Sequence, residues 1–106
     1  TTPESVIISA IIIAIKLKYK EILLTGVEHS WVKELEVSME NKVTYMIRHF
    51  YKSDKRYDID FTMSEFMLSQ YRLFKSHDIA AKYAKFKNVK ILNTTKESLI
   101  DSYERN

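Results

Sequence analysis

The residues here that could do chemistry gather in three stretches. Gly26-Val27-Glu28-His29-Ser30-Trp31 closes an apolar run with a carboxylate, an imidazole and a hydroxyl in succession. A glycine at that point lets backbone or a ligand approach closely. Glu28 could hold a sugar hydroxyl or a metal, or fix its own loop by accepting backbone amides. His29 could bind phosphate or orient an acceptor, or make a structural hydrogen bond. In Arg48-His49-Phe50-Tyr51, an imidazole with a pKa near neutrality suits proton transfer from an acceptor hydroxyl. The same histidine could instead cap or pack beside Phe50. Asn93-Thr94-Thr95 and Ser98 could offer amides and hydroxyls to a phosphate, or cap a helix.

Other groups read more simply. His77 lies at the edge of an apolar helical stripe, which favours packing over catalysis. Trp31 is favoured as an anchor of its loop over a stacking platform. Asp54, Asp58 and Asp60 lack the spacing and glycine of a calcium loop and read as solvated charge. The glycine-rich, P-loop, HExxH, Gly-x-Ser-x-Gly and Cys-x-x-Cys signatures do not occur. With no cysteine there is no disulfide, thiol catalysis or Cys-ligated metal, which fits a reducing cytoplasm.

These groups need a scaffold, and 106 residues suffice for one domain with a modest core. Hydrophobic residues at 45% and charged residues at 29% are a globular composition. Thr2-Pro3-Glu4 starts a helix expected to run to about Lys18. Its apolar run, residues 6–15, falls well short of the ~20 residues that span a bilayer. Residues 21–27 then read as a strand buried on both faces, which implies a parallel sheet. In open α/β sheets, ligands bind outside the carboxyl ends of such strands.

Residues 28–61 show no sustained period apart from a short strand at residues 43–47, and read as a long site-building loop. Thr62-Met63-Ser64-Glu65 is a capping box that opens a long helix. Phe66, Met67, Tyr71, Phe74, Ala81 and Ala84 keep its apolar spacing, and Asn88 reads as its C-cap. A second strand follows at residues 89–92, then a final helix from about Lys96. The order helix, strand, loop, helix, strand, helix predicts an α/β domain with parallel strands. Two or three strands leave such a sheet incomplete, so truncation or a homo-oligomer is expected.

Tyr19 to Trp31, Arg48 to Tyr51 and Ile91-Leu92-Asn93-Thr94-Thr95-Lys96-Glu97-Ser98 together resemble a group of bacterial surface-polysaccharide proteins. These are described as hydroxymethylpterin-diphosphokinase-like, and they are similar in pattern to sialyltransferases of the Campylobacter type. The resemblance covers nearly the whole chain as the C-terminal part of a longer fold. It implies a partial Rossmann-like parallel sheet flanked by helices. It also implies transfer of a sugar from a nucleotide-sugar donor to a saccharide acceptor in cell-envelope polysaccharide synthesis.

In that group a strand ending in Gly-(Ile/Val)-Asp opens onto the active site. Gly26-Val27-Glu28 matches it, with Glu in place of Asp. The group's histidine base and phosphate-side tyrosines have His49 and Tyr51 as their nearest counterparts. On this reading His49 and Glu28 are catalytic, while Gly26, His29, Ser30, Tyr51, Asn93 and Thr94 bind substrate. No cofactor is required. A diphosphokinase-like domain, needing Mg²⁺ and ATP, is the alternative, and a non-catalytic assembly module is another.

The net charge of +3 comes from Lys and Arg interspersed with Asp and Glu, which gives a nucleic-acid partner little support. Association of the parent protein with a membrane surface stays open. Since the sequence begins without Met, a segment excised from a longer chain is expected.

Overall fold

A computed structural model describes residues 5–29, 31–47 and 55–105. The helix start expected at Thr2-Pro3-Glu4 lies outside them.

Helix α1 spans Ser5–Lys16 and buries Ile11 and Ile15. It stops in two overlapping reverse turns. The Tyr19 amide donates to the Ala14 carbonyl (3.3 Å) and the Lys18 amide to that of Ile15 (3.0 Å), with Lys18 in the left-handed region at φ 67°. That Schellman-type closure usually takes glycine at the left-handed position. Strand β1, Glu21–Leu24, follows at once. It is shorter than its apolar run, and Leu23 is 58% exposed, so β1 is not buried on both faces. Only alternate residues, Ile22 and Leu24, face the helices.

Next comes an excursion where an irregular loop was expected. A 3₁₀ turn, Trp31–Glu34, leads into a three-stranded antiparallel sheet of β2 (Leu35–Val37), β3 (Val43–Ile47) and β4 (Lys55–Asp58). Between β2 and β3, Ser38 accepts from the Asn41 amide (2.9 Å), and Asn41 adopts φ 59°, which asparagine tolerates. Tyr45 and Tyr57 lie opposite each other in register, with ring centroids 5.7 Å apart. Such aromatic cross-strand pairs stabilise a sheet whose strands are too short to show alternation.

Helix α2, Met63–Phe86, starts at the predicted capping box. The Thr62 hydroxyl accepts from the Glu65 amide (3.2 Å), and the Glu65 carboxylate accepts from the Thr62 amide (2.8 Å). The Thr62 amide, and after it the Thr62 side chain, hydrogen-bond the Glu65 carboxylate and hold its pKa below the ordinary value. Its buried stripe is Leu73, His77, Ala80 and Ala84, so Met67 and Tyr71 point outward, contrary to the apolar spacing assigned to them. At the far end the Val89 amide donates to the Ala84 carbonyl (2.8 Å) and the Asn88 amide to that of Lys85 (3.1 Å). Lys87 is the C-cap, and Asn88 is the next residue, in the left-handed region at φ 58°.

Strand β5, Lys90–Asn93, pairs in parallel with β1, and the two-residue β6, Glu104–Arg105, pairs in parallel with β5, giving the order β1-β5-β6. The chain is thus mixed α/β: a small parallel sheet, a separate antiparallel sheet and two helices. Both helices pack on the one face that carries Ile22, Leu24 and Ile91, completed by Ile100 and Tyr103. The helix expected from Lys96 does not form; residues 94–103 make an irregular connection instead.

Candidate functional site

Because β1 and β5 are parallel neighbours in register, Leu24 beside Asn93, their following loops emerge side by side. Those loops are bound to each other. The Thr94 amide and hydroxyl both donate to the Leu24 carbonyl (2.9 Å each), the Thr25 and Thr94 hydroxyls are 3.0 Å apart, and the Gly26 amide donates to the Thr95 hydroxyl (2.8 Å). The Leu99 amide donates to the Glu28 carbonyl (2.9 Å). Gly26 sits at φ +74°, and an added Cβ would meet nothing within 4 Å. This glycine is therefore required by its backbone angle, not by crowding.

Asn93 organises the second loop from inside. It is 1% exposed; its amide donates to the Ser98 hydroxyl (3.1 Å) and the Ile100 carbonyl (3.4 Å), and its carbonyl accepts from the Thr95 amide (3.1 Å). Arg105 adds donors to the Ser98 (2.8 Å) and Ile100 (2.9 Å) carbonyls. These bonds explain why no helix starts at Lys96. The side chains that would cap one are committed to the strand-end latch, and competing side-chain bonds draw such residues out of helices. Asn93 is thus a buried keystone of the latch and not a group open to substrate. The Thr94 and Thr95 amides, expected to serve a phosphate, are likewise engaged.

Glu28 and His29 follow the latch. Glu28 is exposed. His29 takes φ 50°, uncommon for a side chain with a Cβ, and is half-buried against α2. Its Nε2 lies 3.2 Å from His77 Nε2, and its ring meets Phe74 edge-on at 6.3 Å. His77 is fully buried, and its Nδ1 lies 2.6 Å from the Tyr103 hydroxyl. A continuous chain His29–His77–Tyr103 thus runs from the strand ends into the core.

Burial pushes the His77 pKa down to about 4, the neighbouring His29 adds to the effect, and Asp78 opposes it. Burial also raises the Tyr103 pKa, and Asp78 raises it further. His77 is therefore neutral at pH 7, with one ring nitrogen donating and the other accepting. If Nδ1 accepts from Tyr103, Nε2–H donates to His29; if Nδ1–H donates to Tyr103, Nε2 accepts from His29. In the second arrangement His29 can carry both ring protons, and hence a positive charge, while His77 stays neutral. The chain can thus hold a cation at the strand ends.

The structure brings Gly26, Glu28, His29, Asn93 and Thr94 to one end of the parallel sheet. Ser30, His49, Tyr51 and Asp54 lie outside the described residues, as does the side chain of Trp31. Among the described residues no group of three or more metal-binding side chains occurs. His77 and Tyr103 were not assigned to the site by sequence. The available signal was a histidine on a core stripe, because a buried imidazole requires a partner. No family model matches the chain, and neither does any curated protein or solved structure.

Proposed function

We propose that this chain supplies the C-terminal part of a Rossmann-like glycosyltransferase domain, moving a sugar from a nucleotide-sugar donor to a saccharide acceptor in cell-envelope polysaccharide synthesis. One observation carries the reading. Parallel strands β1 and β5 end together, and the loop beyond them presents Glu28 and a histidine held by a buried partner. Open α/β sheets place ligands at that end. Direct displacement at a sugar carbon requires a base for the acceptor hydroxyl and electrostatic support for the departing phosphate. His49 is the base that the resemblance implies. His29, donating Nε2–H to neutral His77, is suited to carry positive charge facing the phosphate, and Glu28 to hold a sugar hydroxyl.

The test is a thermal-shift panel of CMP, UDP, GDP and ATP, with and without Mg²⁺, on this chain and on a longer protein containing it. Stabilisation by CMP or a nucleoside diphosphate, weakened by His29→Ala and by Glu28→Ala, is the expected result. A response confined to ATP with Mg²⁺ would favour a diphosphokinase-like domain. No response in either protein would overturn the reading.

A further inference from the structure

The opposite pole of the parallel sheet, at the amino ends of β1 and β5, has a different character. Both helices end there, since each turns back tightly into the strand that follows it. The two turns are neighbours, because the Lys90 amide donates to the Lys20 carbonyl (2.9 Å). Residues 16–21 read Lys-Leu-Lys-Tyr-Lys-Glu, and residues 82–90 read Lys-Tyr-Ala-Lys-Phe-Lys-Asn-Val-Lys. Seven lysines, all exposed, therefore meet at this pole against two acids, Glu21 and Glu104, the latter lining a hollow with Lys85 and Lys90. These nine residues sum to +5 in a chain of net charge +3, so the remaining sequence sums to −2.

Large apolar side chains stand among the lysines. Phe86 is 79% exposed, Leu17 65% and Tyr19 59%. Lys87 lies 5.5 Å from the Phe86 ring centroid and leaves that ring outward-facing. Complementing a helix dipole accounts for a cation in each last turn, Lys16 and Lys85. It does not account for the other five lysines or for three exposed apolar side chains.

We propose that this pole docks on an anionic lipid bilayer, with Leu17, Tyr19 and Phe86 entering the headgroup region and the lysines facing lipid phosphates. Lysine stems lie along apolar surface while their ammonium groups reach outward. Tyr and Phe suit the membrane interface. The cations at this pole are all lysine, whereas arginine is favoured for bidentate phosphate and base recognition in nucleic acids. No helix among the described residues is long and apolar enough to cross a membrane, so the contact proposed is peripheral. Docking by this pole would turn the carboxyl ends of β1 and β5 away from the bilayer. The proposal is independent of the chemistry assigned to that end.

Co-sedimentation with vesicles tests it, comparing pure phosphatidylcholine with mixtures containing about one third phosphatidylglycerol, at low and high salt. The chain should partition onto anionic vesicles and leave them as salt rises. Lys85→Glu/Lys87→Glu should weaken partitioning by at least about five-fold per lysine. Phe86→Ser should weaken it at constant charge. Lys33→Glu/Lys42→Glu, which makes the same charge change on the antiparallel sheet side, should leave it nearly intact. Thermal unfolding confirms that each variant is folded. Equal loss in the two charge-reversed pairs, binding indifferent to lipid charge, or binding to single-stranded RNA without binding to vesicles would each overturn the proposal.

Discussion

Acidification should destabilise this protein through His77. The ring is 0% exposed and lies between the Tyr103 hydroxyl at 2.6 Å and His29 Nε2 at 3.2 Å. Its pKa is lowered to about 4, mainly by burial, from an unfolded value near 6.5. A depressed folded pKa means that the unfolded chain binds the proton first. This contribution is therefore fully present above about pH 6.5 and lost as pH falls toward 4. Each pH unit within that window costs up to about 1.4 kcal/mol, giving on the order of 3 kcal/mol in all. That is a sizeable share of the roughly 5–15 kcal/mol by which domains are stable.

Urea unfolding of the wild type and of His77→Phe from pH 7.5 to 4.5 measures the effect. His77→Phe should be less stable at pH 7.5, because Tyr103 and His29 lose a partner. Its stability should vary less with pH between 6.5 and 4.5. Parallel pH profiles in the two proteins would refute the assignment of the buried neutral imidazole.

Other outcomes follow from the loops and caps. Lys18→Gly should stabilise by about 0.5–1 kcal/mol, raising Tm by several degrees, because glycine adopts the left-handed angle of the α1 stop without strain. Asn93→Ala should cost about 2–3 kcal/mol in chemical denaturation, since the Thr95 amide and the Ser98 hydroxyl lose their buried partner. Asn93→Asp should cost more at pH 7 than at pH 4, because a carboxylate would face the Ile100 carbonyl. Thr62→Ala should cost about 1 kcal/mol in thermal unfolding by removing the α2 cap.

Much of the scaffold was legible because its signals are local. The capping box at Thr62 and Glu65 names both of its partners within four residues, and α2 begins there. The short strand read at residues 43–47 is β3. The run at residues 21–27 led to a parallel sheet, although its strand ends at Leu24 and leaves Leu23 open. What escaped reading depends on contacts distant in sequence. Strand β2 is only three residues long and β4, four residues, is mostly polar, so neither shows a strand pattern of its own and pairing with β3 makes them strands. Asn93-Thr94-Thr95 has the composition of a helix start, yet its side chains bond Leu24 and Gly26, some 70 residues away. His29 and His77 are 48 residues apart, and only the φ 50° backbone of His29 turns its ring toward α2. The two lysine groups are likewise joined only by the pairing of β1 with β5.

The measurement bearing most directly on the proposed function is a titration of the isotopically labelled chain with CMP and UDP, followed by amide and histidine ring resonances. Shifts concentrated at residues 25–29 and 94–99 and at the rings of His29 and His77, and weakened in His29→Ala, are predicted. Saturable shifts confined to the antiparallel sheet, or no shifts at millimolar nucleotide, would contradict a nucleotide site at the carboxyl ends of β1 and β5.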